Sequence, residues 1–259
     1  MAGFACVYYG NTGSSWLLDV LGRSPDVLVP GFEPVETWAW DTSVSERLRW
    51  IRTTFDPPEV REGPEWERWK EAVDRSPNAK PNAWNLSFRI TGFKMSNLAV
   101  EHPWRTLLAL RRSGAKTIVL TRRNRLKHAL SLYRYREEKK SQFELKGVRP
   151  PTELDLDVYD DWLQKSAWMH EQSRAFRRSA ERVLGHENVA DVEYEEFVTE
   201  QGKQEVVDRM VSFLGVEAPQ LDSHFEKATP DSLEAAVSNF EALRGRYADT
   251  EYRQFFDED

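Results

Sequence analysis

The chain has 259 residues, of which 40% are hydrophobic and 31% charged, a composition that suits one large domain with a packed core. Acidic residues outnumber basic ones by 43 to 36, and this balance argues against a general nucleic-acid binder, whose affinity depends on neutralising phosphates. The apolar runs are shorter than the ~20 residues that cross a bilayer, and no basic segment precedes the first of them. A cytoplasmic protein without a membrane span is therefore expected.

Metal and disulfide chemistry are also disfavoured. Cys6 is the only cysteine, which excludes an internal disulfide and a cysteine-rich metal site. The five histidines are scattered and match no metal-binding spacing, so we expect no metal.

Strand and helix patterns alternate along the chain. The predicted strands cover Phe4–Tyr9, Val27–Val29, Phe88–Lys94, Thr117–Thr121 and Val189–Tyr194. The predicted helices cover Ser14–Leu21, Val44–Thr53, Glu65–Asp74, Pro103–Arg112, Asn124–Lys139 and Asp160–Leu184, and the remainder is mostly helical. This alternation predicts an α/β fold with a mainly parallel central sheet that carries helices on both faces.

We find no internal repeat, low-complexity tract or linker, so residues 1–259 are expected to form a single domain. Residues 32–87 form a long helical excursion between the second and third strands, and residues 139–151 are the best candidate for a mobile loop. The excursion and its flank are rich in tryptophan: Trp38, Trp40, Trp50, Trp66, Trp69, Trp84 and Trp104. These rings are expected either to form a satellite core or to line the pocket of a bulky acceptor.

The first strand runs into the turn "GNTGSS", which opens the first helix. Unpaired backbone N–H groups and the helix dipole converge there, and Ser14 and Ser15 add hydroxyl donors. A nucleotide-hydrolysing loop would carry a lysine after Gly13, and a GxGxxG dinucleotide fingerprint is absent. The turn therefore predicts an anion site of another kind, or else a structural turn with serine caps.

A second candidate anion site follows the fourth strand, in "TRRNRLKHALS". Arg122, Arg123 and Arg125 lie at the carboxyl end of this strand, where open α/β sheets bind ligands. Ser131 follows Arg123 by eight residues on the next helix. An arginine fork and a hydroxyl suit a dianionic phosphate, whereas the alternative is a solvated basic helix face.

Together these motifs resemble the sulfotransferases that use 3′-phosphoadenosine 5′-phosphosulfate (PAPS). "NTGSSWL" is similar to the family signature Lys/Arg-Ser/Thr-Gly-Ser/Thr-Ser/Thr-Trp-Leu, and Arg123 with Ser131 matches its second motif. "YEEF", at Tyr194–Phe197, resembles the family's box after a late strand, and the C-terminal region has the character of bacterial members. The resemblance covers most of the chain in the right order and implies a P-loop-like sulfotransferase fold.

The resemblance also implies a set of contacts to PAPS, the co-substrate. They come from Asn11, Thr12, Gly13, Ser14, Ser15 and Trp16, with the 5′-phosphosulfate held by residues 12–15. Arg123 and Ser131 would hold the 3′-phosphate, and Tyr194 would lie near the adenine. The family's C-terminal Arg-Lys-Gly motif is missing, and Lys227 is the candidate substitute.

The acceptor side needs a base near the attacking group. Glu33 is the first candidate because it follows the second strand, which is expected to lie beside the first. Glu36 is the near alternative, and His102, which follows the third strand, is the third. Each could instead be a surface carboxylate or a helix-capping histidine.

Asn11 departs from the family, which has a basic residue at that position. Lys94, at the end of the third predicted strand, is expected to supply the cation instead, although a lysine extending from a strand end to solvent is the simpler reading. The sequence thus predicts sulfuryl transfer from PAPS to a hydroxyl, or secondarily an amine, of a small or medium-sized acceptor. The alternative is a catalytically silent nucleotide-binding protein of the same fold.

Overall fold

The computed structural model describes residues 2–29, 33, 35–36, 43–55, 62–74, 88–137, 150–221, 223 and 232–257. Lys227 lies outside the described residues, as do residues 139–149 of the candidate mobile loop. Trp38, Trp40 and Trp84 are outside them as well.

All five strands of the central sheet are parallel. They are β1 (Ala2–Tyr8), β2 (Val27–Leu28), β3 (Ile90–Ser96), β4 (Lys116–Thr121) and β5 (Val189–Glu193), in the order β2-β3-β1-β4-β5. The predicted α/β fold is therefore confirmed. The expectation that the second strand lies beside the first is wrong, because β3 pairs with β1 from Ala2↔Ile90 to Tyr8↔Ser96 and leaves the two-residue β2 at the edge.

Helices connect the strands and close the chain. They are α1 (Ser14–Leu21), α2 (Val44–Phe55), α3 (Gly63–Asp74), α4 (Pro103–Arg112), α5 (Arg125–Arg136), α6 (Leu156–Leu184), α7 (Glu200–Leu214), α8 (Leu233–Ala236) and α9 (Phe240–Tyr247). The longest helix, α6, begins four residues before its predicted start, because the Asp155 carboxylate caps it by accepting the N–H groups of Asp157 and Val158. Within the described ranges, no helix combines the length and apolar character needed to cross a membrane.

The sheet separates two apolar layers. On β1, Phe4 and Cys6 belong to the layer that includes residues of α1 and α7, whereas Ala5 and Val7 belong to the layer that includes residues of α2, α4 and α6. This alternation follows from the two-residue repeat of a strand. Both faces of β1 are thus buried, and the carboxyl end of β1 opens into the turn that precedes α1.

The close pairing of β1 with β3 depends on Gly92. A Cβ atom at this position would lie 2.0 Å from the Phe4 ring. We expect Gly92→Ala to lower the free energy of unfolding by about 1–3 kcal/mol, as overpacking of a core typically does. Urea denaturation measures this loss. The control is Gly245→Ala in α9, where a Cβ meets nothing within 4 Å and the better helix former should stabilise by roughly 0.5–1 kcal/mol. Equal losses in the two variants would contradict the packing argument.

Candidate active site

The turn between β1 and α1 has an unusual backbone. Gly10, Asn11 and Gly13 have φ angles of 82°, 49° and 78°, all in the left-handed region. Glycine adopts this region freely, and asparagine tolerates it better than most other residues. The backbone therefore gives a physical reason for the asparagine at position 11, where the family that the motif resembles has a basic side chain.

The short 3₁₀ turn Tyr194–Phe197 packs directly on Gly13. A Cβ atom at Gly13 would lie 2.6 Å from the Phe197 ring and 3.1 Å from the Tyr194 ring. Phe197 stacks on Trp16, with ring centroids 5.1 Å apart and planes at 10°, and Tyr194 meets Phe197 edge-on. The "YEEF" box thus supports the turn, and one face of Trp16 is already covered by Phe197. Adenine contacts by Tyr194 and Trp16 stay predictions.

Polar groups without internal partners collect at the turn. Thr12 is fully buried, and its Oγ1 has no hydrogen-bond partner among the described residues. The first N–H groups of any helix lack intrahelical acceptors, and α1 begins here at Ser14. Buried polar groups are nearly always hydrogen-bonded, so the site suits a bound group that is rich in oxygen.

Arg122 is the strongest functional candidate that the motif analysis passed over in favour of its neighbour. Its buried guanidinium donates from Nη1 to the Asn11 carbonyl at 3.2 Å and lies 4.3 Å from the centre of the Tyr194 ring. Its Nε has no partner in the described part of the chain. The only signal in the sequence is its place directly after β4, which Arg123 shares almost equally.

Arg123 and Ser131, the predicted 3′-phosphate ligands, lie at the start and in the middle of α5. The Arg123 side chain is 54% exposed and lies 3.6 Å from the Glu193 carboxylate. Ser131 is half-buried. The backbone N–H groups of Arg123 and Asn124 donate to the Glu195 carboxylate at 2.9 and 3.0 Å, so this carboxylate fixes the loop that carries Arg123.

A buried histidine of α5, also missed by the motif analysis, holds the turn from below. His128 Nε2 lies 3.1 Å from the Gly10 carbonyl, and its Nδ1 lies 2.7 Å from the Ser166 hydroxyl on α6. Because a carbonyl only accepts, Nε2 carries the proton and Nδ1 accepts from Ser166. Burial, with the nearby charge of Arg122, lowers the pKa of His128 to about 3, so the ring is neutral at physiological pH.

Lys94 connects the turn to the predicted base. Its ammonium, on a side chain only 8% exposed, donates to Ser15 Oγ at 2.9 Å and lies 3.0 Å from Glu33 Oε1. The Tyr8 hydroxyl also donates to Glu33 Oε1, at 2.6 Å. The structure thus brings together two residues that the sequence proposed for different tasks. This follows from the pairing of β1 with β3, which ends at Tyr8↔Ser96.

Glu36 is the second carboxylate of this cluster and is completely buried. Its Oε1 accepts from the Tyr8 hydroxyl at 3.2 Å and from the backbone N–H of Ser96. Its Oε2 has no hydrogen-bond partner within the described ranges. Burial, and then the charge of Glu33, raise the pKa of Glu36 to about 8. Burial and the two carboxylates likewise raise the pKa of Tyr8, which therefore stays a donor.

His102, the third candidate base, lies immediately before α4. Its half-exposed ring is 3.8 Å from Glu101, whose carboxylate pairs with Arg47 of α2 at 2.6 Å. These contacts tie His102 to a different cluster from that of Glu33, and its role stays a prediction. Across the residues that the structure describes, no group of three histidine, cysteine or acidic side chains is placed to hold a metal ion.

Comparison with known proteins gives matches at the level of structure only. No protein-family model and no curated protein matches the chain. Similar solved structures include a sulfotransferase from Alicyclobacillus acidocaldarius, with 21% identity and a TM-score of 0.47 over 100% of this chain and 97% of that one. The sulfotransferase domain from the curacin biosynthetic pathway is 15% identical, with a TM-score of 0.46 over 99% and 96%. Mouse sulfotransferase SULT7A1 complexed with PAP is 19% identical, with a TM-score of 0.44 over 85% and 61%. These structures carry the same family name that the motifs resemble.

Two glycines of the turn allow a matched test of its packing. Gly10 and Gly13 share a left-handed φ, but a Cβ at Gly10 meets nothing within 4 Å, whereas one at Gly13 collides with Phe197. Both alanine variants should lose about 1–2 kcal/mol of stability through backbone strain. Gly13→Ala should lose roughly 1–3 kcal/mol more through overpacking. Chemical denaturation of both variants gives the difference, and equal losses would mean that the 3₁₀ turn does not constrain Gly13.

Proposed function

We propose that this protein transfers a sulfuryl group from PAPS, a co-substrate, to a hydroxyl, or secondarily an amine, of a small or medium-sized acceptor. No metal is needed in this scheme. The observation that supports it most strongly is the position of Lys94, whose ammonium contacts both Ser15 of the turn and the carboxylate of Glu33. One cation therefore touches both the anion site and the candidate base.

The turn has the donor chemistry that a 5′-phosphosulfate requires. Its N–H groups, the Ser14 and Ser15 hydroxyls and the unpaired Thr12 Oγ1 suit the oxygens of a phosphate or sulfate. The adjacent Arg122 guanidinium adds positive charge, and the Asn11 amide can donate without bringing a net charge. The exposed Arg123 guanidinium and the Ser131 hydroxyl are the proposed ligands of the 3′-phosphate.

The transfer itself is an in-line displacement. The bond from the acceptor oxygen to sulfur forms as the bond from sulfur to the bridging oxygen breaks. Glu33 takes the proton of the acceptor, and Lys94 stabilises the negative charge that grows on the bridging oxygen. Lys94 thus supplies the cation that Asn11 does not.

Ligand-dependent melting tests the donor site. A ligand that binds only the folded protein raises the melting temperature, so adenosine 3′,5′-bisphosphate should raise it more than ATP or AMP does. Incubation with labelled PAPS and fractionated metabolites of the source then tests transfer. A protein that binds the bisphosphate but labels no acceptor would favour the silent nucleotide-binding alternative. Equal shifts with all three nucleotides would contradict the proposed donor.

Arg123→Ala tests the 3′-phosphate site. Hydrogen bonds to charged groups are worth about 1.5–3 kcal/mol, so the variant should lose roughly 10–100-fold in its preference for adenosine 3′,5′-bisphosphate over AMP. Calorimetry with both nucleotides measures the preference. Arg136→Ala, which removes the same charge from the exposed far end of α5, is the control and should leave the preference unchanged. An unchanged preference in Arg123→Ala would remove Arg123 from the site.

Lys94→Gln tests the link between the two halves of the site. The variant keeps a hydrogen-bond donor but loses the charge, so turnover should fall by roughly 10²-fold or more while bisphosphate affinity changes little. Introducing Asn11→Lys in that background should restore part of the turnover, less the strain of a left-handed lysine. Lys94→Gln with full turnover would show that the cation is not required.

A further inference from the structure

Two carboxylates of the cluster share a single hydroxyl group. The Tyr8 oxygen lies 2.6 Å from Glu33 Oε1 and 3.2 Å from Glu36 Oε1. A phenol has one proton to donate, so it cannot serve two ionised carboxylates equally. The shorter distance assigns that proton to Glu33 and leaves Glu36 with a weaker claim on it.

The surroundings of the two carboxylates differ in the same direction. The Glu33 side chain is 31% exposed and contacts the Lys94 ammonium, so water and a cation both favour its ionised form. Glu36 is 0% exposed, and one of its oxygens has no hydrogen-bond partner among the described residues. A buried carboxylate with an unsatisfied oxygen is costly, whereas a carboxylic acid leaves no net charge in that position.

The charged and titratable groups that act on Glu36 come from each element around it. Tyr8 faces it from β1, Lys94 and the Ser96 N–H from β3, and Glu33 from its own loop. Burial and Glu33 favour the neutral form, while the other three favour the ionised form and are outweighed. Pairs of carboxylates whose surroundings separate them in this way carry different roles.

We infer that Glu36 is a positioning residue held as the neutral acid, and that through Tyr8 it fixes Glu33 as the single ionised carboxylate facing the turn. The part of this inference that concerns catalysis rests on the proposed function. The protonation state of Glu36 does not.

The inference links the anion site to a proton. An anion at Ser15 would lie against Lys94 and would offset part of its positive charge, which in the free protein favours ionised Glu36. Binding should therefore raise the pKa of Glu36 above about 8. At pH 8, where Glu36 is part-ionised, the carboxylate should take up a fraction of a proton from the buffer and become the acid.

Calorimetry of adenosine 3′,5′-bisphosphate at pH 8 measures this uptake. The titration is run in two buffers with different ionisation enthalpies, and the difference in heat gives the protons bound. The phosphates themselves are already ionised, since their second pKa is about 6. Wild type should take up a fraction of a proton and Glu36→Gln none. Glu234→Gln, an exposed carboxylate on α8, should behave as wild type. Equal uptake in wild type and Glu36→Gln would overturn the inference.

A second measurement needs no nucleotide, so it decides the protonation state even if the bisphosphate fails to bind and the proposed function is wrong. The pKa of Glu36 is raised in the folded state from 4.5 to about 8. Its proton therefore stabilises the folded state fully below pH 4.5, and that contribution is lost as the pH rises through 8. The melting temperature of wild type relative to Glu36→Gln should fall across this range. Parallel melting curves for the two proteins would overturn the inference.

Turnover separates positioning from direct base catalysis once an acceptor is known. Glu36→Gln imitates the neutral acid and should keep most of the turnover at pH 7, whereas Glu36→Ala should lose more because Tyr8 is released. Glu33→Gln should lose roughly 10²–10⁴-fold, as expected for removal of a general base. Loss in Glu36→Gln with near-full turnover in Glu33→Gln would make Glu36 the base and overturn the inference.

Discussion

The absence of a side chain at Gly13 is the constraint on which the rest of the site depends. Phe197 and Tyr194 occupy the space that a Cβ would need, so the turn lies directly on the 3₁₀ turn that follows β5. The left-handed backbone at Gly10 and Asn11 then presents two carbonyl groups to the interior. His128 donates to one and Arg122 to the other. Because three separate elements hold the backbone, the N–H groups at the start of α1 are oriented before any ligand arrives, which is the condition for electrostatic stabilisation of an anion.

The charges around this turn differ from those of the chain as a whole. The protein has a net charge of −7, yet the guanidinium of Arg122 and the ammonium of Lys94 are both buried within contact of the turn residues. Burying a cation costs free energy that a surface position would not. Each cation is only partly compensated by protein atoms, Arg122 by a carbonyl and an aromatic face and Lys94 by one carboxylate and a hydroxyl. A bound anion at the turn would complete this compensation.

The sequence predicts local features well and long-range ones unevenly. The bounds of α1 and α4 are found because glycine and proline mark them. The parallel sheet follows from the alternation of strands and helices, but the position of β2 does not, since two residues carry no pairing information. Lys94 could be placed near the turn because parallel strands end at a common edge. Arg122 and His128 could not be singled out, because their contacts with Asn11 and Gly10 are 111 and 118 residues apart in sequence. The "YEEF" box was recognised as a motif, but its packing on Gly13 depends on the tertiary structure.

The strand order that the sequence failed to predict is what joins the two halves of the site. Had β2 lain beside β1, Glu33 would have followed directly from the neighbouring strand, and the end of β3 would have lain one strand further away. Because β3 lies between them, its Lys94 extends between the turn at the end of β1 and the loop that follows β2. Tyr8 and Ser96, paired at the ends of β1 and β3, then hold both carboxylates of that loop. A single strand exchange thus places the cation, the ionised carboxylate and its neutral partner within hydrogen-bonding distance of one another.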